Sequence, residues 1–119
     1  MKSENAIQTK SYAFALRIIK LYRFLVENKK EYVLSKQVLR SGTSIGANVE
    51  EAIGGHSKAD FRAKITIAYK EARETHYWLR LLKDSGLLNS KQFNSIIFDL
   101  EELFKIITKI QLTLKNSNS

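Results

Sequence analysis

The spacing of apolar residues between Phe61 and Leu82 constrains this chain more than any other feature. Phe61, Ile65, Ala68, Ala72, Thr75, Leu79 and Leu82 recur in an unbroken 4-3 alternation. A strand shows one face every second residue and cannot align these positions. A helix of 3.6 residues per turn brings all seven to one side. A seam of three heptads requires another helix to cover it.

Three further segments carry the same period. Phe14, Ile18, Leu21 and Leu25 share a face. So do Val38, Gly42, Ile45, Val49 and Ala52, and then Phe93, Ile97, Leu100, Phe104 and Ile107, with Leu114 beyond. Punctuation separates them. Asn28-Lys29-Lys30-Glu31 reads as a charged turn, Gly54-Gly55 as a stop, Ser57-Lys58-Ala59-Asp60 as a helix cap with an acid at the third position, and Gly86 as a second stop. Asn89 or Ser90 is expected to cap the last helix. The spacing predicts helices over about residues 10–28, 34–53, 58–84 and 90–114. With 119 residues, no proline and short connections, the economical arrangement is a single domain over 1–119. Its fold class is all-α, an antiparallel up-down-up-down four-helix bundle.

RSGTSIGANVEEA, Arg40 to Ala52, looks at first like a ligand loop, because it holds two glycines, two serines and an asparagine. A phosphate loop would need a GxxxxGK[ST] pattern after a strand, and neither is present. As a helix, it stacks Gly42 and Gly46 on adjacent turns. Each glycine costs a helix interior roughly 1 kcal/mol relative to alanine, and close approach of a neighbouring helix is the expected compensation. A polar line runs beside them. Arg40, Ser44 and Glu51, flanked by Asn48, are expected to meet Glu71 and Glu74 of the third helix in a network that fixes register.

The chain holds 20 basic and 12 acidic residues, a net charge of +8, and residues 1–40 carry nine basic against three acidic side chains. Such a surplus suits a polyanion, nucleic acid above all, although it also suits a merely solvated surface. Lys10, Arg17, Lys20 and Arg23 form one basic stripe on the first helix, with Phe24 among them. Arg62, Tyr69, Arg73, His76 and Arg80 form another on the third. Arginines beside tyrosine and histidine suit phosphate contact with base stacking, but subunit contacts would use the same residues. No base-reading motif is evident, so any RNA or DNA binding should be phosphate-driven. The first helix also carries more apolar surface than one bundle needs. Tyr12, Ala15, Leu16, Ile19, Tyr22 and Val26 extend its core arc, which predicts self-association into a homo-oligomer.

Catalysis finds little support. His56 and His76 have no partner at a metal-ligand spacing, and Lys70 and Arg73 sit beside Glu71 and Glu74 as counter-charges. There is no cysteine for a thiolate, disulfide or metal site. No metal, cofactor or small-molecule substrate is expected. The polar opening MKSENAIQTK lacks a signal-peptide core, and no apolar run reaches membrane-spanning length. A cytoplasmic protein without a membrane partner is therefore expected.

Arg40 to Gly54, then Ser57 to Phe61 and Ala68 to Leu82, resemble the four-helix-bundle family named after the 23S rRNA intervening sequence. The likeness extends over nearly the whole chain. Where the family commonly has Ser-Ile-Pro-Ala-Asn-Ile-Ala-Glu-Gly, this chain has Ser44 to Ala52, with Gly46 for the proline, Glu50 for the second alanine and Ala52 for the glycine. The accessory variability determinant of diversity-generating retroelements looks similar in fold. The resemblance implies a bacterial, ribosomal-protein-like bundle that assembles into a homopentamer with a basic surface. The expectation from residues and resemblance together is a non-catalytic homo-oligomeric scaffold that binds nucleic acid or a ribonucleoprotein partner. The alternative is a protein–protein adaptor whose charge serves solubility alone.

Overall fold

The computed structural model describes residues 2–117. Four helices follow one another: α1 (Lys2–Lys29), α2 (Leu34–Ile53), α3 (Lys58–Asp84) and α4 (Ser90–Ser117). Each packs on its neighbours in sequence, and α1 and α4 close the ring. Cross-helix contacts fix the directions. Gln8 reaches Glu50 while Ile18 faces Gly42, and Arg40 reaches Glu71 while Glu51 reaches Lys64. Rising numbers on one helix meet falling numbers on the next, so neighbours are antiparallel. The result is an up-down-up-down bundle 48 × 22 × 19 Å in extent. Among the described residues no helix is long and apolar enough to cross a membrane.

The core follows the seams read from α2 and α3, except that Phe61 at the start of the α3 seam is only half-buried. Val38, Gly42, Ile45, Val49 and Ala52 are buried, as are Ile65, Ala68, Ala72, Thr75, Leu79 and Leu82. Two seams differ from expectation. Helix α1 begins near residue 2 rather than 10, and its added turns bury Ile7. In α4 the buried residues are Ile96, Leu100, Leu103, Ile107 and Ile110, whereas Phe93, Ile97 and Phe104 are only half-buried. The α4 sequence offers two overlapping apolar stripes. The large aromatics mark the one that turns toward α3 instead of the bundle axis.

The two helix-two glycines are contact points with α1. A Cβ on Gly42 would lie 2.7 Å from Cγ1 of Ile18, and one on Gly46 would lie 3.3 Å from the backbone oxygen of Ser11. On its other side α2 meets α3 through a fully buried pair of hydroxyls, Ser41 and Thr75, 2.9 Å apart. Thr75 also donates to the Glu71 carbonyl at 2.8 Å. One hydroxyl has one proton, so Thr75 serves that carbonyl and accepts the Ser41 proton. The apolar reading of position 75 thus conceals a polar lock between two helices.

The turns are closed by side chains. Ser57 accepts from the Asp60 amide at 3.0 Å, as its cap pattern predicts. Asn89 rather than Ser90 caps α4. Its side-chain Oδ1 accepts from the Gln92 backbone amide at 2.8 Å, and the Gln92 Oε1 accepts from the Asn89 backbone amide at 2.9 Å, a reciprocal capping box. Gly86, at φ 86°, lets the Leu87 amide reach back to the Leu82 carbonyl at 2.9 Å.

The charged turn before α2 does more than stay solvated. The Glu31 carboxylate accepts from the backbone amides of Ser35 (2.7 Å), Leu34 (3.1 Å) and Val33 (3.2 Å). Burial works to raise its pKa, but these amides outweigh burial and hold it below its ordinary value. Glu31→Ala is expected to cost about 1 kcal/mol in denaturant unfolding, as the loss of a helix cap does. Because the folded pKa is depressed, that contribution is present above the ordinary carboxylate pKa and fades as pH falls through the folded value. The gap between wild type and variant should therefore narrow as pH falls below the ordinary carboxylate range.

Candidate nucleic-acid interface

Tyr69, Arg73, His76 and Arg80 stand at 4-3-4 spacing on α3, so one face of the helix presents all four. Glu101, Phe104 and Thr108 of α4 form the opposite wall of a groove of about 420 Å³. The Phe104 ring lies between two aromatic neighbours. Tyr69 meets it edge-on at 5.8 Å between centroids, and His76 at 6.3 Å. Such edge-to-face contacts hold the rings in place while leaving surface for a planar ligand. Arg73 and Arg80 are exposed, and neither has a carboxylate in ion-pair range among the described residues. Arg80 lies 5.8 Å from the centroid of the Tyr77 ring. Burial pushes the His76 imidazole below the ordinary histidine pKa. The Arg80 and Arg73 charges push the same way, and Glu101 opposes them. An anion bound beside the imidazole would oppose the two arginine charges and favour the imidazolium.

Arg62 shares the face but not the groove. It donates to the Leu114 carbonyl at 2.9 Å, in a separate hollow with Thr66 and Gln111. The α1 stripe divides as well. Lys10 pairs with Glu102 at 3.0 Å and Arg17 with Asp99 at 2.7 Å, and Arg17 also donates to the Ser95 hydroxyl at 2.9 Å. These two basic residues tie α1 to α4. Lys20 and Arg23 remain exposed on the stripe. Sequence periodicity places residues on a face. It does not reveal that α4 brings carboxylates to one part of the α1 face and aromatics to the α3 face.

The expected register network is smaller than its sequence pattern. Arg40 donates to Glu71 at 2.8 Å and also to Glu74. Trp78 completes the cluster, its indole N–H donating to Glu74 at 2.9 Å. The Trp78 bond first, and then Arg40, hold the Glu74 carboxyl below its ordinary pKa, against burial. Glu74 and Glu71 raise the Arg40 pKa in turn. Trp78 was missed in the sequence, although its i+4 spacing from Glu74 was visible. Ser44 and Asn48 do not join. Ser44 bonds the Arg40 carbonyl and Asn48 the Ser44 carbonyl, both within α2. Glu51 pairs with Lys64 at 2.9 Å, toward the opposite end of the helix pair. Antiparallel packing explains this: moving up α2 from Arg40 carries these residues down α3, away from Glu71.

The surplus apolar arc of α1 is largely absorbed by the bundle itself. Ala15, Ile19, Tyr22 and Val26 are half-buried, which leaves Tyr12 at 66% and Leu16 at 48% exposure. Among the described residues, no group of three or more His, Asp or Glu side chains is placed to hold a metal ion.

A family model described as 23S rRNA-intervening sequence protein matches residues 3–109. Among solved structures, a crystal structure from Bacteroides thetaiotaomicron superposes with a TM-score of 0.91 at 50% sequence identity. The likeness covers 92% of this chain and 97% of that one. That protein is described as one of unknown function from the S23 ribosomal protein family. No protein of curated function matches the chain.

Proposed function

Because this chain belongs to the 23S rRNA-intervening sequence protein family, we propose that it is a non-catalytic, self-associating helical scaffold that binds nucleic acid or a ribonucleoprotein partner. One observation carries the proposal: the α3–α4 groove sets Arg73 and Arg80, neither in ion-pair range of a carboxylate among the described residues, beside Tyr69, His76 and Phe104, with Glu101 on the facing wall. Guanidinium groups grip phosphate through paired N–H donors, and aromatic surfaces accept any unpaired base. The favoured ligand is thus a single strand, held with little sequence preference. Tyr12 and Leu16 supply the contact between copies, and five copies is the number that the family resemblance implies. A salt titration with mixed-sequence, unstructured RNA tests the proposal. Affinity should fall linearly on logarithmic axes as salt rises. No binding at about 50 mM salt, where phosphate contacts are strong, overturns it in favour of a protein–protein adaptor. A monomer mass in light scattering overturns self-association.

The groove also gives binding a pH dependence. A phosphate beside His76 favours the imidazolium, so binding takes up a proton and must tighten as pH falls. RNA affinity should rise about threefold or more between about pH 7.5 and 5.5. His76→Gln should flatten that rise, while the same change at His56, which is exposed at the α2–α3 connection, should preserve it.

A further inference from the structure

The second groove of the bundle differs in chemistry from the first. It lies between α1 and α4 near the C-terminal end of α1, with a volume of about 450 Å³. Its floor is mainly aliphatic: Leu21, Leu88 and Ile96, with Phe24 at one side. Leu88 and Ile96 belong to the buried core, so the floor is continuous with rigid packing. The Phe24 ring already has the Lys29 ammonium 5.8 Å from its centroid. Lys20 and Lys91 line the groove, exposed, with no carboxylate in ion-pair range among the described residues. On one wall Arg17, tied to Asp99 and Ser95, fixes the edge.

We infer that this groove docks a short acidic amphipathic helix of a protein partner. Charge complementarity selects the occupant. The ammonium groups of Lys20 and Lys91, unpaired among the described residues, ask for carboxylates or phosphates, and a floor of leucine and isoleucine asks for aliphatic side chains. A nucleobase would find little aromatic surface here, unlike in the α3–α4 groove. A helix with leucines on one face and glutamates beside them satisfies both demands. Arg17 to Phe24 spans about 10 Å of α1, which suits a contact of about two helical turns. The bundle then has two surfaces of different chemistry, one flanking each side of α4.

The test uses the full-length protein and a synthetic helical peptide of about 18 residues, long enough to hold helix in water when capped. It carries leucines at i, i+3, i+4 and i+7, flanked by glutamates. In heteronuclear NMR titration the peptide should move the signals of Leu21, Phe24, Leu88 and Ile96. Lys20→Glu combined with Lys91→Glu should weaken binding about tenfold or more, since attraction at two rim positions becomes repulsion. A peptide with serines for the leucines should fail, as should one with lysines for the glutamates. Equal binding by the serine peptide, unchanged binding after the double charge reversal, or shifts confined elsewhere would overturn the inference. Two further outcomes would also overturn it. Single-stranded RNA that moves this groove in preference to Arg73 and His76 would make it a nucleic-acid site. Shifts of the same signals with protein concentration alone would make it a contact between copies.

Discussion

Gly42→Leu is expected to destabilise the bundle by about 3 kcal/mol, at the upper end of what overpacking a core costs. Gly42→Ala should follow the same direction at about 1–2 kcal/mol. On an exposed helix the alanine change would stabilise by about 1 kcal/mol, so the sign itself is diagnostic. A Cβ at Gly42 would sit 2.7, 2.9 and 3.0 Å from three side-chain atoms of Ile18. Ile18 is fully buried and β-branched, so it has neither room nor an alternative rotamer with which to yield. At Gly46 the nearest atom is 3.3 Å away, and Gly46→Ala should be close to neutral. Denaturant unfolding of both variants separates the two cases. The double variant Ile18→Ala with Gly42→Ala should lose less than the sum of the two single losses, because the two residues share one space. A stabilising Gly42→Ala would mean that α1 does not approach α2 as closely as described.

That contact also shows what the sequence could and could not disclose. The need for a close neighbour at Gly42 was legible, because glycine in a helix interior has a known cost. Which helix approaches was not, since a glycine has no side chain whose chemistry points to a partner. The stripes of α2 and α3 match their buried faces, Phe61 apart, because each helix has one apolar stripe. Helix α4 was read partly off its core: Leu100 and Ile107 are buried as expected, but the bulky Phe93 and Phe104 drew the rest of the face, with Ile97, away from Ile96, Leu103 and Ile110. The missing early turns of α1 have a similar cause: residues 2–9 hold one strong apolar residue, Ile7, too little to show a period. Candidate sites were legible as faces only. Arg17 and Arg73 look alike in sequence. What distinguishes a tether from a candidate phosphate contact is pairing: Arg17 is bound to Asp99, whereas Arg73 lines a groove with Phe104 and Glu101 and is in ion-pair range of no carboxylate among the described residues.

Combined reversal of Arg73→Glu and Arg80→Glu is expected to weaken binding to unstructured RNA by about tenfold to a hundredfold at low salt. The loss should be similar for every sequence, because phosphate contacts position a strand and do not read it. The slope of log affinity against log salt should shrink by about 1.4, the share of two contacts to a single strand. Both side chains are exposed and lack carboxylate partners among the described residues, so the unfolding midpoint should barely move. Arg17→Glu would be a poor probe, since it sets a carboxylate against Asp99 and loosens the α1–α4 contact. Lys58→Glu, at the start of α3 and away from the groove, is the suitable control and should weaken binding by much less. A pronounced change of sequence preference in the Arg73/Arg80 variant would contradict a phosphate role.

The central claim is that a single strand lies in the α3–α4 groove with its bases against aromatic side chains. Photocrosslinking tests it most directly. The protein is irradiated with unstructured RNA carrying a photoreactive base, and the attached residues are found by mass spectrometry. Crosslinks on Tyr69, His76 or Phe104 are the expected result, lost after the Arg73→Glu and Arg80→Glu reversal. Crosslinks confined to α1 and α2, or none from a complex shown to form, would contradict the claim.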